Sequence, residues 1–242
     1  MTDLLYQTDS YLQSFEARVM AVDATIRAVL LDRTAFFPGG GGQPHDRGRL
    51  RSGDRILTVE RARKNDQGVW HMLGGKDPLP ADGQIVTGQI DWERRYACMR
   101  THTAMHILCG VVFRDYGALV TGGDMEPLRG RMDFEFETLS KDLVGVIEAA
   151  INREVELNRP VQVSVLPREA AFQIPDLIRT KINLLPAGIE QIRTIEIVGL
   201  DLQADGGTHV RTTAEVGPMR IVDYKSKGKI NKRIYLDLSS SF

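Results

Sequence analysis

The chain has 242 residues, a formal net charge of −1 and 26% charged residues, values of a soluble globular protein with one large domain or two small ones. No apolar run reaches the ~18 residues of a membrane span, and the opening MTDLLYQTDS lacks the basic-then-apolar pattern of a secretory signal, so a cytoplasmic location is expected. The near-neutral balance excludes a globally basic nucleic-acid binder, and any RNA contact must come from local patches.

Ser14 to Val19 alternates polar and apolar residues, and Val86 to Trp92 does the same with Val86, Gly88, Ile90 and Trp92 on one side. Period two is the signature of a half-buried strand. Short strands broken by Gly, Asp and Pro turns predict a small β-barrel or sandwich over the first part of the chain. Between these strands lies Phe36-Phe-Pro-Gly-Gly-Gly-Gly-Gln-Pro44. It lacks the Lys-Ser/Thr of a phosphate loop, so no nucleoside triphosphate is expected there and a flexible turn is the plain reading. His45 and His71 stand in turn-like contexts and read as surface residues.

From Tyr96 to Phe113 the spacing predicts a helix, with Met99, Ala104, Ile107, Leu108, Val111 and Val112 recurring at helical intervals and Gly110 as the only glycine. Cys98 and Cys109 would sit on it roughly 16 Å apart along the axis, too far for a disulfide, in keeping with a reducing compartment. A second helix is expected after Ser140 as N-cap, burying Leu143, Ile147, Ile151 and Val155 and stopping at Asn158 and Pro160. Strand alternation returns at Arg131 to Glu137, Val161 to Val165 and Ile192 to Val198. The mixture predicts an α+β fold with helices on a largely antiparallel sheet.

Two segments carry chemistry. In Arg100-Thr-His-Thr-Ala-Met-His106, the four-residue interval places His102 and His106 on one helix face, within reach of one metal ion. The spacing alone is weak. In Asp205-Gly-Gly-Thr-His209, two glycines permit a tight turn and a close backbone approach, bringing His209 and a carboxylate toward the helix. Three imidazoles and an oxygen suit zinc, against the plain alternative of a Gly-Gly turn with a surface histidine. A third feature, Lys225-Ser-Lys-Gly-Lys-Ile-Asn-Lys-Arg233, is either a solvated charged face or a hairpin that meets phosphates.

These segments, in order, resemble the alanyl-tRNA editing proteins called AlaX, free-standing relatives of the editing domain of alanyl-tRNA synthetase. Phe36 to Pro44 resembles the family's Gly-rich motif, and Asp91-Trp-Glu-Arg-Arg-Tyr96 the lead-in to the first histidine. Gly130-Arg-Met-Asp-Phe-Glu-Phe136 and Thr213-Ala-Glu-Val-Gly-Pro218 resemble its later strand and its tail. The resemblance implies a β-barrel-like domain over residues 1–92 and an α/β editing domain of the threonyl/alanyl-tRNA synthetase type over 93–242. It implies one zinc ion per chain, held by two helix histidines, a cysteine and a loop histidine. Here Asp205 stands where cysteine is usual, giving His102, His106, His209 and Asp205 as the expected ligands; Asp205 instead holding a water is the alternative. It also implies that the Gly-rich motif lies between the domains near the substrate end, with Gln43 as a polar contact.

The expected activity is hydrolysis of mischarged tRNA(Ala), carrying serine first and glycine second, with the acceptor end of the tRNA as partner and no membrane. Zinc would activate water or only orient the substrate. The amides of Gly206 and Gly207 are candidate oxyanion donors, Asp205 a candidate base if it leaves the metal, and Thr103 or Gln203 a candidate reader of the serine hydroxyl. Candidate RNA contacts are Lys225, Lys227, Lys229, Lys232 and Arg233, joined by Arg94, Arg95 and Arg100. A full synthetase is not expected from a chain of this length. Rival readings are a non-catalytic RNA-binding module with a degenerate metal site, and a zinc hydrolase of another ester or amide.

Overall fold

The computed structural model describes residues 2–175, 177–179 and 188–239. The chain forms two compact units, Met1–Ala97 and Cys98–Phe242. In the first, β1 (Asp3–Leu4) pairs in parallel with β4 (Arg33–Thr34). The strands β2 (Ser14–Asp23), β3 (Ala28–Leu31), β5 (Gly48–Ser52), β6 (Arg55–Asn65), β7 (Gly68–Leu73) and β8 (Ile85–Ile90) close into a barrel of order β2-β3-β7-β6-β5-β8. Closure removes the exposed edges an open sheet of this size would carry. Val19, Leu31, Leu50, Leu57, Val59, Val69 and Val86 fill the interior, and Val86, Gly88 and Ile90 face inward as the alternation requires.

Two expectations are corrected in this unit. His71 is not a surface residue: it is fully buried, with Nε2 against the Thr34 hydroxyl at 2.8 Å and Nδ1 against the Val29 carbonyl. Burial pushes its pKa down to about 4, so it is a neutral core histidine. Trp92 does not continue the strand. Asp91 caps the next helix instead, accepting from the Arg94 amide at 3.3 Å.

The Gly-rich segment is a tight hairpin turn. Gly40 and Gln43 exchange backbone hydrogen bonds at 3.0 Å, and Gly41 and Gly42 between them have φ of 58° and 87°. Positive φ at both central positions favours glycine over residues with a Cβ. Asp46 anchors the turn by accepting from the Phe37 amide at 2.6 Å and pairing with the buried Arg95. Arg95 thus holds the turn and presents no charge to RNA.

Helix α1 (Trp92–Tyr116) begins in the first unit and becomes the centre of the second. Every residue from 98 to 112 is buried, the pattern of a helix packed on all sides. β9 (Val120–Glu126), β10 (Arg129–Glu135), β14 (Met219–Ser226) and β15 (Asn231–Leu238) form an antiparallel sheet of order β14-β15-β10-β9. It lies close to α1 because a Cβ at Gly123 or Gly130 would stand 3.2 or 3.1 Å from Met105.

Helix α2 (Lys141–Glu156) starts at Ser140, whose hydroxyl accepts from the Leu143 amide. It covers the edge strand β14 through side chains: Asn152 bonds both backbone groups of Met219, and Glu148 accepts from the Ile221 amide. The strands β11 (Val161–Pro167), β12 (Gln191–Ile197) and β13 (Asp201–Ala204) form a second antiparallel sheet, and the one-turn α3 (Arg168–Ala171) follows β11. The class is α+β. No helix among the described residues is long and apolar enough to cross a membrane.

Candidate metal centre

Helix α1 places His102 and His106 one turn apart, with ring centroids 5.2 Å apart. His209 arrives from the loop after β13 and stacks on His102 at 4.3 Å. Asp205 follows that strand directly, held by reciprocal bonds with Arg193: its amide donates to the Arg193 carbonyl at 3.1 Å, and the Arg193 guanidinium donates to its carbonyl at 2.9 Å. One ligand atom from each of His102, His106, Asp205 and His209 lies within 4.8 Å of the others. The three imidazoles are buried and Asp205 is nearly so.

The other ring nitrogens of His106 and His209 show how these two imidazoles are aimed. His106 Nδ1 meets the Asp201 carboxylate at 2.9 Å and His209 Nδ1 meets the Thr103 hydroxyl at 3.1 Å. That leaves both Nε2 atoms toward the centre, where His209 Nε2 lies 3.1 Å and His102 Nε2 3.5 Å from the Asp205 carboxylate. Metal-bound histidines are commonly oriented by such outer partners. Four donors around one small cation need mutual spacings of about 3.3 Å for bonds of ~2.0–2.1 Å. The observed cluster is slightly open and fits one ion after a small inward movement.

The electrostatics suit ligation. Burial lowers His102 to about 4 and His209 well below its ordinary value, leaving both neutral with a lone pair to offer. Burial acts on His106 in the same sense, but the hydrogen bond and charge of Asp201 outweigh it and hold that imidazole above its ordinary value. Burial would raise Asp205, yet His102, the bond from His209 and the charge of His106 keep its carboxyl well below the usual range. The shifts thus favour two neutral imidazoles and an ionised carboxylate, while His106 would give up its proton on binding a metal.

The chain resembles known proteins over nearly its whole length. Residues 8–94 match the model of class II (A) tRNA synthetases, and residues 192–235 match the second additional domain of threonyl and alanyl tRNA synthetases. The alanyl-tRNA editing protein AlaX-M of Saccharolobus solfataricus is 38% identical over 239 residues, covering 97% of this chain and 98% of its own. The AlaX-M of Methanosarcina barkeri is 35% identical over 243 residues, 98% of this chain and 99% of its own. The chain belongs to the AlaX-M family. The alanine–tRNA ligase of Ignicoccus hospitalis is 35% identical over 91% of this chain, which matches 24% of that enzyme.

Within this AlaX-M chain the remaining site candidates divide. Gln203 reaches the cluster's surroundings, donating to Asp201 at 2.7 Å and to Cys109 Sγ at 3.3 Å. Thr103 is fully buried, and its oxygen also accepts from the Val210 amide at 3.3 Å. The Gly207 amide already donates to the Asp205 carboxylate at 2.7 Å, which removes it as an oxyanion donor in this arrangement, while Gly206 is exposed. Neither glycine adopts positive φ.

The RNA candidates need correction. Arg100 is 3% exposed and donates to the carbonyls of Val216 and Ser239, so it ties the C-terminal segment to α1 instead of facing solvent. Gln43 is 2% exposed. The basic segment is a β14–β15 hairpin, but Lys232 turns inward, donating to the carbonyls of Gly228 and Lys229, and Arg233 pairs with Asp133 at 2.6 and 2.8 Å. Lys225 is exposed but bridged to Asp223 at 3.0 Å. Lys227 and Lys229 are exposed at the loop.

Sequence reasoning missed Asp201, Arg193 and Gly110. A Cβ on Gly110 would stand 2.8 Å from Leu200 Cγ and 3.0 Å from Asp201 Cβ. The bare backbone one turn after His106 therefore admits the Leu200–Asp201 corner, and the Asp201 carboxylate arrives beside His106. A glycine in an otherwise regular helix was the visible signal.

Proposed function

We propose that this AlaX-M chain deacylates mischarged tRNA(Ala), Ser-tRNA(Ala) first and Gly-tRNA(Ala) second, using one zinc ion held by His102, His106, His209 and Asp205. The convergence of these four side chains carries the reading. When bound, zinc would supply a Lewis acid that lowers the pKa of water toward ~7 and polarises a carbonyl. Water adds to the ester carbonyl carbon, the bond to the ribose oxygen breaks, and that oxygen takes a proton as the amino acid leaves.

The chain's own residues orient and select. Asp201 fixes the tautomer of His106, and Thr103 meets Nδ1 of His209, which it would accept from once Nε2 holds the metal. With its amide nitrogen on Asp201 and Cys109, Gln203 keeps its carbonyl oxygen to accept from a serine hydroxyl. Thr103 accepts from the Val210 amide and, in that tautomer, from His209, which leaves its own O–H to donate. Alanine lacks the hydroxyl and would leave such partners unpaired, which discriminates by ~10⁴ or more in sites of this kind. The Gly206 amide is the remaining backbone candidate for the developing oxyanion. Lys227 and Lys229 would meet phosphates of the acceptor stem, a role supported by their exposure. The domain division at residue 92/93, with the barrel ahead of the editing domain, belongs to the same reading, as does a cytoplasmic location.

The test is deacylation of Ser-tRNA(Ala) and Ala-tRNA(Ala) beside metal analysis of the same protein. Hydrolysis of the seryl ester only, with one zinc per chain, is expected. Buffer-level hydrolysis of both by metal-loaded protein would leave the non-catalytic RNA-binding reading.

A further inference from the structure

The outer wall of the barrel carries a cleft of about 920 Å³ over β5, β6 and β8, with Arg47, Arg49 and Arg61 in its lining. Arg47 and Arg49 alternate along β5 and its approach, with Arg51 continuing the row, while Leu50 and Ser52 between them point into the barrel. Alternate residues of a strand stand about 6.6–6.8 Å apart on one face. Arg61 enters from β6 at a register shift between Val59 and Arg61, which turns it outward beside Glu60. Thr58 and Gln89 lie across from Arg49 in the neighbouring strands.

None of the three guanidinium groups holds a salt bridge or a side-chain hydrogen bond among the described residues. Two acids share the cleft, and one of them is engaged elsewhere. Asp91 caps the N-terminus of α1, where the helix dipole favours its charge. Glu60 leans against Gly74, where an added Cβ would meet its Oε1 at 2.4 Å. The cleft thus presents unpaired planar cations at strand spacing.

We propose that this barrel wall binds consecutive phosphates of an RNA strand. Guanidinium groups match phosphate oxygens in bidentate fashion, and the row along β5 repeats at an interval suited to a phosphodiester chain. A single small anion would use one arginine and leave the row unexplained. Backbone contacts of this kind position RNA without reading its sequence. The proposal rests on the reading that the chain acts on tRNA, and gives that RNA a hold on the first unit.

The experiment uses the full chain and an uncharged tRNA(Ala) transcript, with affinity measured by fluorescence anisotropy across a salt series. Each phosphate contact contributes roughly 0.7–0.9 to the slope of log affinity against log salt, so Arg47→Gln/Arg49→Gln/Arg61→Gln should flatten it by about 2–3. Neutralising Arg33, Lys76 and Lys141, outside the cleft, should leave the slope near the wild-type value. An unchanged slope in the cleft variant, or an equal loss in the control, overturns the proposal. So does displacement of the tRNA by polyglutamate as readily as by unrelated RNA, which would mark an acidic-protein surface. Wild-type protein that binds tRNA through the cleft yet leaves Ser-tRNA(Ala) intact would overturn the editing reading and not this one.

Discussion

Asp201 and His106 meet at 2.9 Å through Oδ2 and Nδ1, although 95 positions separate them in the chain. The carboxylate fixes which nitrogen of His106 bears the proton and turns Nε2 toward His102, His209 and Asp205. Partners of this type typically contribute 10–100-fold to metal affinity. Asp201→Asn should therefore weaken zinc binding by about that factor in a chelator competition titration. Unchanged zinc affinity would show that His106 is aimed by packing alone.

Gly110 tests how that pair is assembled. In an unconstrained helix Gly→Ala stabilises by about 1 kcal/mol. Here the added methyl meets Leu200 Cγ at 2.8 Å and the Leu200 carbonyl oxygen at 3.1 Å, and overpacking costs typically ~1–3 kcal/mol. Gly110→Ala should lower the melting temperature and weaken zinc binding together, as Asp201 is pushed from His106. A raised melting temperature would show that the corner yields freely.

Asp205 separates ligation from water positioning. If its carboxylate completes the ligand set, Asp205→Ala lowers zinc content as well as deacylation, and Asp205→Cys binds zinc more tightly because thiolate is the softer donor. Full zinc content in Asp205→Ala with slowed hydrolysis would assign Asp205 to the water instead.

The convergence of His102, His106, Asp205 and His209 was legible because its parts are local patterns: a four-residue histidine interval on a helix, and a Gly-Gly turn before His209. The barrel strands and the Ser140 cap were legible for the same reason. What stayed hidden depends on pairings distant in sequence. Arg95, Arg100 and Lys232 read as surface cations, yet each is buried against carbonyls or a carboxylate that only the fold supplies. His71 looked like a turn residue because nothing in its neighbours announces Thr34, 37 positions away. Trp92 continued the strand alternation, but the Asp91 cap decided for helix.

The Asp133–Arg233 pair gives a pH dependence with a definite sign. The hydrogen bonds from Arg233 hold the Asp133 carboxyl below its ordinary value. The stability this adds is fully present above the unfolded carboxyl pKa of about 3.9 and is lost as pH falls through the lower folded value. Asp133→Asn should melt below the wild type at neutral pH, with the gap narrowing in more acidic solution. A gap that stays constant from neutral to strongly acidic pH would contradict this coupling.

The four-residue cluster is expected to serve hydrolysis of a mischarged ester. The most direct measurement is the deacylation rate of Ser-tRNA(Ala) and Ala-tRNA(Ala) by zinc-loaded protein, with the doubly substituted His102→Ala/His106→Ala protein alongside. The expected result is rapid loss of the seryl ester, an Ala-tRNA(Ala) rate near that of buffer, and no activity in the doubly substituted protein. Equal rates for both esters, or full activity without the two histidines, would contradict it.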